Sequence, residues 1–194
     1  MRLPATAYTS RPWRIHEIAG DFRVEDVWAL PTPGGPDDLA RLVRQFAGGD
    51  GPGGFTPLTR ALFAIRWKLG KLLRWDEADA GLGGRVPSLR DRLPADLREG
   101  TRGPDRGQFT SVYQTHDEWA AEIANKTMQG VMHIGWVPDG AGGYRGQMTV
   151  LVKPNGLLGA VYMLGIRPFR YLGVYPAMLR AIGRKWQASE PTTL

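Results

Sequence analysis

The stretch MQGVMHIGWVPDGAGGYRGQMTVLVK, residues 128–153, decides the fold. Met128, Met132, Ile134 and Trp136 alternate with Gln129, Val131 and His133, while Tyr144, Met148, Val150 and Val152 alternate with Arg145, Gln147, Thr149 and Lys153. Side chains two apart on an extended chain share a face, so this period predicts two strands. Between them, Pro138-Asp139-Gly140-Ala141-Gly142-Gly143 supplies the residues of a hairpin turn. The same rule extends backwards. Phe109, Ser111, Tyr113 and Thr115 alternate with Thr110, Val112 and Gln114, and Trp119, Ala121 and Ile123 alternate with Glu118, Ala120 and Glu122. Asn125-Lys126-Thr127 is then the next turn. Thr115-x-x-Glu118 also has the form of a helix capping box, and Glu118, Glu122 and Lys126 have helical spacing. The longer alternation favours strands.

Outward from this core, Phe22–Leu30 reads as the first strand, stopped by the proline- and glycine-rich stretch 31–36. Asp37–Phe46 has Leu39, Leu42, Val43 and Phe46 at helical spacing behind two acidic residues. A second helix, Thr56–Trp75, carries the stripe Leu58, Leu62, Ile65, Leu69 and Leu72. Residues 76–107 lack periodicity and predict a long surface excursion, with short helical turns within 86–97. After Asn155-Gly156, a helix over 157–165 is interrupted at Pro168, and 171–186 continues with Met178, Ile182 and Trp186 on one face. The expected class is α+β. A curved antiparallel sheet closes on a long C-terminal helix, with two shorter helices after the first strand, in one domain over 1–194 whose core spans about 15–187.

Composition excludes several chemistries. The chain has 194 residues and no cysteine, which removes disulfides, thiolate catalysis and Cys-ligated metals. The first residues contain no apolar run of the signal-peptide kind, so a cytoplasmic location is expected. A net charge of +6 invites a nucleic-acid reading. The arginines are scattered without a basic run or a nucleic-acid module, so no nucleic acid is expected as partner. His16, His116 and His133 have no metal-ligand spacing, and no metal site is expected.

A strand, two helices, a long loop, an antiparallel meander and a C-terminal helix follow the order of the helix-grip fold of START-like and Bet v 1-like (SRPBCC) proteins. Within that order, DFRVEDVWALP (21–31), DEWAAEIANKT (117–127), GVMHIGWVPDG (130–140), YRGQMTVLVKPNG (144–156) and IRPFRYLGVYPAMLR (166–180) resemble the bacterial domain of unknown function 2867 family, placed in that superfamily. The resemblance covers about residues 15 to 187 and implies an internal cavity. Some relatives carry the domain behind an NAD(P)-binding Rossmann domain. This chain lacks one, so no nucleotide cofactor, and no other cofactor, is expected. The family has no agreed catalytic set to carry over.

Alternation assigns His133, Glu118 and Glu122 to an outer, solvated face, where Arg145 and Lys153 offer cross-strand charge partners. The inward set is apolar. It comprises Trp119 and Ile123 from one strand, Met128, Met132 and Trp136 from the next, and Tyr144 and Met148 from the last. Tyr113 joins from the preceding strand, and Tyr162 and Met163 from the segment after the sheet. Methionine adapts to irregular apolar ligands and tyrosine offers a hydroxyl to orient one polar group. The expected function is binding of a small apolar or amphipathic metabolite, polyketide-like molecules among them, as a carrier or a cofactor-independent cyclase or dehydratase. Tyr113, Tyr144 and Tyr162 are the candidates for polarising a carbonyl, and His133 for proton exchange. A second reading takes Phe63 and Trp67, flanked by Arg60, Lys68, Lys71 and Arg74, as a contact for an anionic membrane or a protein.

Overall fold

The computed structural model describes residues 1–48, 86–124, 128–155 and 175–189. The helix expected at 56–75 with Phe63 and Trp67, the helix expected at 157–165 with Tyr162 and Met163, and the interruption at Pro168 lie outside the described residues.

In chain order the elements are β1 (Arg2–Leu3), α1 (Thr6–Thr9), α2 (Ile15–Ile18), β2 (Arg23–Ala29) and α3 (Leu39–Ala47). A 3-10 turn (Leu89–Arg92) and α4 (Ala95–Glu99) follow, then β3 (Thr110–Gln114), β4 (Glu118–Ala124), β5 (Met128–Pro138), β6 (Tyr144–Pro154) and α5 (Tyr175–Ala188). Among the described residues six strands form one sheet in the order β1-β2-β6-β5-β4-β3, antiparallel at every pairing. The sheet is therefore mixed with helices in an α+β arrangement. β3 to β6 follow the expected meander, and β2 returns to pair with β6. The β3–β4 turn uses the Thr115/Glu118 pair without helix: Thr115 N–H donates to the Glu118 carbonyl at 2.8 Å, and Glu118 N–H donates to Thr115 Oγ1 at 3.1 Å.

Both faces of the sheet are covered, which differs from the expected wet outer face. Over the His133 face lie Tyr8, Trp13, Ile15 and Ile18 of the N-terminal segment and Leu89, Leu93 and Leu97. Over the Met132 face lie α3 and α5. Alternation separates two faces but does not say that the more polar one meets water. Here two irregular segments, 4–22 and 86–99, carry enough apolar side chains to cover it.

On the Met132 side, the three- and four-residue spacing of α3 buries Leu39, Leu42, Val43 and Phe46. Arg41 reaches back to α5, donating to the Trp186 carbonyl at 2.9 Å with its guanidinium 3.8 Å from that indole's centroid. Gln45 Nε2 donates to the Ile182 carbonyl at 2.9 Å.

Cross-strand partners order this face into rows. Trp136 pairs with Gly146, Ile134 with Met148, Met132 with Val150 and Gly130 with Val152. The Gly146 end is closely packed, since a Cβ there would stand 2.7 Å from Leu42 and 2.9 Å from Leu30. Behind it, a Cβ on Gly135 would stand 2.6 Å from the Trp13 ring. Gly130 differs, because the described atoms nearest its Cβ position, 3.5 and 3.6 Å away, belong to Ile123 and Met128 of the sheet itself. Gly135→Ala is expected to destabilise by about 1–3 kcal/mol through overpacking against a rigid indole. Gly130→Ala is expected to stay within about 0.5 kcal/mol. Urea unfolding midpoints check both.

Candidate functional site

The His133 face is organised by one buried carboxylate. Glu118 accepts from His133 Nε2 at 2.9 Å and the Tyr113 hydroxyl at 2.9 Å through one oxygen, and from the Arg14 backbone N–H at 2.7 Å through the other. The side chains of His133 and Glu118 are 0% and 1% exposed. Burial pushes the Glu118 carboxyl up, but the hydrogen bond and charge of His133, with the Arg14 and Tyr113 donors, outweigh it and leave the group below its usual range. Burial, followed by the neighbouring carboxylate, pushes the Tyr113 and Tyr8 phenols well above their usual range, so both stay neutral. The His133 ring lies among aromatics, 5.5 Å from Tyr8 and 5.2 Å from Trp13 between centroids. Its Nδ1 and the hydroxyl of Thr149, its cross-strand partner, are buried without a hydrogen-bond partner among the described residues.

Glu122, on the same face, is the second buried carboxylate. It accepts from Ser88 Oγ at 2.5 Å, from Leu89 N–H at 3.1 Å and from Gln129 Nε2 at 3.0 Å, fixing the start of the 3-10 turn. The solvated ladder expected of Glu118 and Glu122 is therefore replaced by two buried anchors, each holding a covering segment onto the sheet. Lys153 pairs with Asp21 at 2.7 Å instead. A histidine beside a carboxylate is the usual equipment of proton transfer. Here both side chains are buried, the His133 ring is packed against Tyr8 and Trp13, and only its Nε2 meets the carboxylate. The arrangement holds structure.

Tyr113 is on this face, away from Trp119 and Met132. A bulge between Ser111 and Tyr113 shifts the register, so Ser111 pairs with Ala121 and Tyr113 with Ala120. Ser111 Oγ accepts from Trp119 Nε1 at 2.8 Å on the Met132 face, while the Tyr113 hydroxyl is engaged by Glu118 on the other.

The remaining predicted residues within the described chain share the Met132 face. Trp119, Met132, Trp136 and Met148 are buried in its wall, and Ile123, Met128 and Tyr144 are half-buried. Aromatic contacts run along this face from the packed end: Trp136 to Trp186 at 5.9 Å beside Gly146, then Phe46 to Trp119 at 6.3 Å and Trp28 to Tyr175 at 4.8 Å in the next rows.

Two polar residues here escaped sequence reasoning. Asp26 is buried and accepts from the Tyr175 hydroxyl at 2.8 Å, with Arg2 3.8 Å away. A bulge between Val24 and Asp26 turns it onto the Met132 face opposite Val150. The break in alternation between Val24 and Val27 was the available signal. Arg106 is the second, half-buried beside Phe46 at the β3 edge. Among the described residues no group of three or more metal-ligating side chains comes together, and no helix is long and apolar enough to cross a membrane.

Residues 18–177 match the family described as "Protein of unknown function (DUF2867)", and the chain belongs to it. Neither the curated proteins nor the solved structures give a match.

Because the folded Glu118 carboxyl lies below its usual 4.5, the stability it adds is fully present above that value and is lost as pH falls through the folded one. Glu118→Gln is expected to cost about 3 kcal/mol near neutrality. The gap from wild type should be constant above about pH 5 and narrow as pH falls below 4.5, read by urea unfolding at each pH. A gap independent of pH would mean that Glu118 is not charged in the fold.

Proposed function

We propose that this member of the DUF2867 family binds a small apolar or amphipathic molecule against the Met132 face, within a sheet-and-helix container of the helix-grip type. One observation carries the reading. The large apolar side chains of β4, β5 and β6 that stay half-buried, Ile123, Met128, Tyr144 and Val150, all project from that face. On the other face of the same strands, Val131, Val137 and Leu151 are buried under the N-terminal segment and residues 86–99. Apolar surface that folding leaves partly uncovered, beside buried methionine and tryptophan, suits an adaptable ligand contact.

Binding comes before conversion in this reading. The Asp26 carboxylate of the face is held by Tyr175 and Arg2, and Tyr113 is engaged by Glu118 on the opposite side. A catalytic step would therefore draw on shape. Holding a flexible substrate in one reactive conformer, up to about 7–11 kcal/mol in the best cases, is compatible with a cofactor-free cyclisation or dehydration. A carrier needs the same wall without that demand.

Titration with the neutral dye Nile red tests the site by fluorescence. Wild type is expected to bind it saturably, and Met132→Trp and Val150→Trp to lose binding at least about tenfold, or about 1.4 kcal/mol. Thr149→Val, on the opposite face, should bind normally. Absence of saturable binding in wild type would end the proposal, and normal affinity in Met132→Trp would place the ligand elsewhere.

A further inference from the structure

Arg106 stands at a corner of the proposed site in a setting unlike that of the paired arginines. Arg14 is bonded to Asp96 and Glu17, Arg92 to Asp21 and Arg102 to Asp105. Arg90 and Arg98 donate to the carbonyls of Val112 and Leu93. The Arg106 guanidinium is half-buried and lies 5.1 Å from the centroid of Phe46, with no carboxylate partner among the described residues. Burial alone pushes its pKa down, as expected of a cation that loses water without gaining an anion.

Its backbone fixes where it stands. Arg106 N–H donates to the Phe109 carbonyl at 2.9 Å and Phe109 N–H donates back at 2.8 Å, so the two residues form one closed turn. Thr110 pairs with Glu122, which places Phe109 beside Ile123 at the half-buried end of the Met132 face. Phe109 packs on the Trp119 and Met132 cluster, and Phe46 lies 6.3 Å from Trp119. A desolvated guanidinium thus borders the apolar wall where it is least covered. The planar fork of arginine matches a carboxylate with two parallel hydrogen bonds, and partial burial strengthens that contact relative to water. Stacking on Phe46 holds the fork without using its N–H donors.

We propose that Arg106 is the anion-recognising residue of this site, and that the molecule bound is an apolar chain or ring system carrying a carboxylate. The inference rests on the ligand site proposed above and assigns its substrate class. The head lies at the β3 corner, and the apolar body runs across Ile123, Met132 and Val150.

Displacement of bound Nile red by dodecanoate and by 1-dodecanol, each below its aggregation concentration, separates head-group recognition from apolar binding. In wild type, dodecanoate is expected to displace the dye at about tenfold lower concentration than the alcohol, equivalent to about 1.4 kcal/mol. Arg106→Gln should abolish that preference while leaving 1-dodecanol unchanged, and Arg106→Lys should keep part of it, with circular dichroism confirming that both variants are folded. The assignment is overturned if wild type shows no preference, if Arg106→Gln retains it, or if that variant loses both probes equally. Nile red binding in wild type would in each case leave the site itself standing. Absence of Nile red binding would remove the site and the assignment together.

Discussion

A carboxylate buried in a sheet needs donors, and the donors of Glu118 come from three separate parts of the chain. Tyr113 brings β3, His133 brings β5, and the Arg14 backbone brings the N-terminal segment. An isolated ionised carboxylate in such a setting costs many kcal/mol, so the three contacts stand or fall together. Their effect is positional. They hold Tyr8 and Trp13 over His133, and Trp13 in turn occupies the space that Gly135 leaves open. Glu122 repeats the device for the segment at Ser88 and Leu89.

With one face anchored through Glu118 and Glu122, the opposite face is built mainly from apolar contacts, and these grade along the strands. Leu42 and Leu30 press close to Gly146 at one end, Trp136 and Trp186 stack nearby, and towards the other end Val150, Ile123 and Met128 are only half-buried. Glu118 and Glu122 serve the fold on the His133 face, while the Met132 face offers methionine, tryptophan, an Asp26 carboxylate already held by Tyr175, and a rim with Arg106. This is why the proposed activity is recognition by shape and one charge instead of acid–base chemistry.

The positions of β2 to β6, the antiparallel meander, the short helix around Leu42 and the grouping of Met132, Trp136 and Met148 on one face were legible in the sequence, because period two and period 3.6 are strong local signals. The two-residue β1, which precedes the strand expected to be first, was not, and neither were three features that shape the site. The covering of the His133 face depends on segments 4–22 and 86–99, whose contacts are long-range and leave no periodic trace. The bulges at Ser111/Tyr113 and Val24/Asp26 each reverse the facing of the strand residues beyond them, moving Tyr113 away from the ligand face and Asp26 onto it. That Arg106 meets Phe46 and no carboxylate among the described residues is a matter of position in space, which spacing along the chain does not encode.

The most direct measurement follows the methionine methyl groups by NMR, with isotope-labelled methionine and assignments from single Met→Leu variants, while 1-dodecanol is titrated into the intact chain. Met128 and Met132, on the proposed ligand face, are expected to shift in a saturable manner, and exposed Met1 to stay in place. Saturable shifts confined to Met1, or no saturable shift at Met128 and Met132 while dodecanol binds, would contradict the assignment of the Met132 face as the ligand-binding surface.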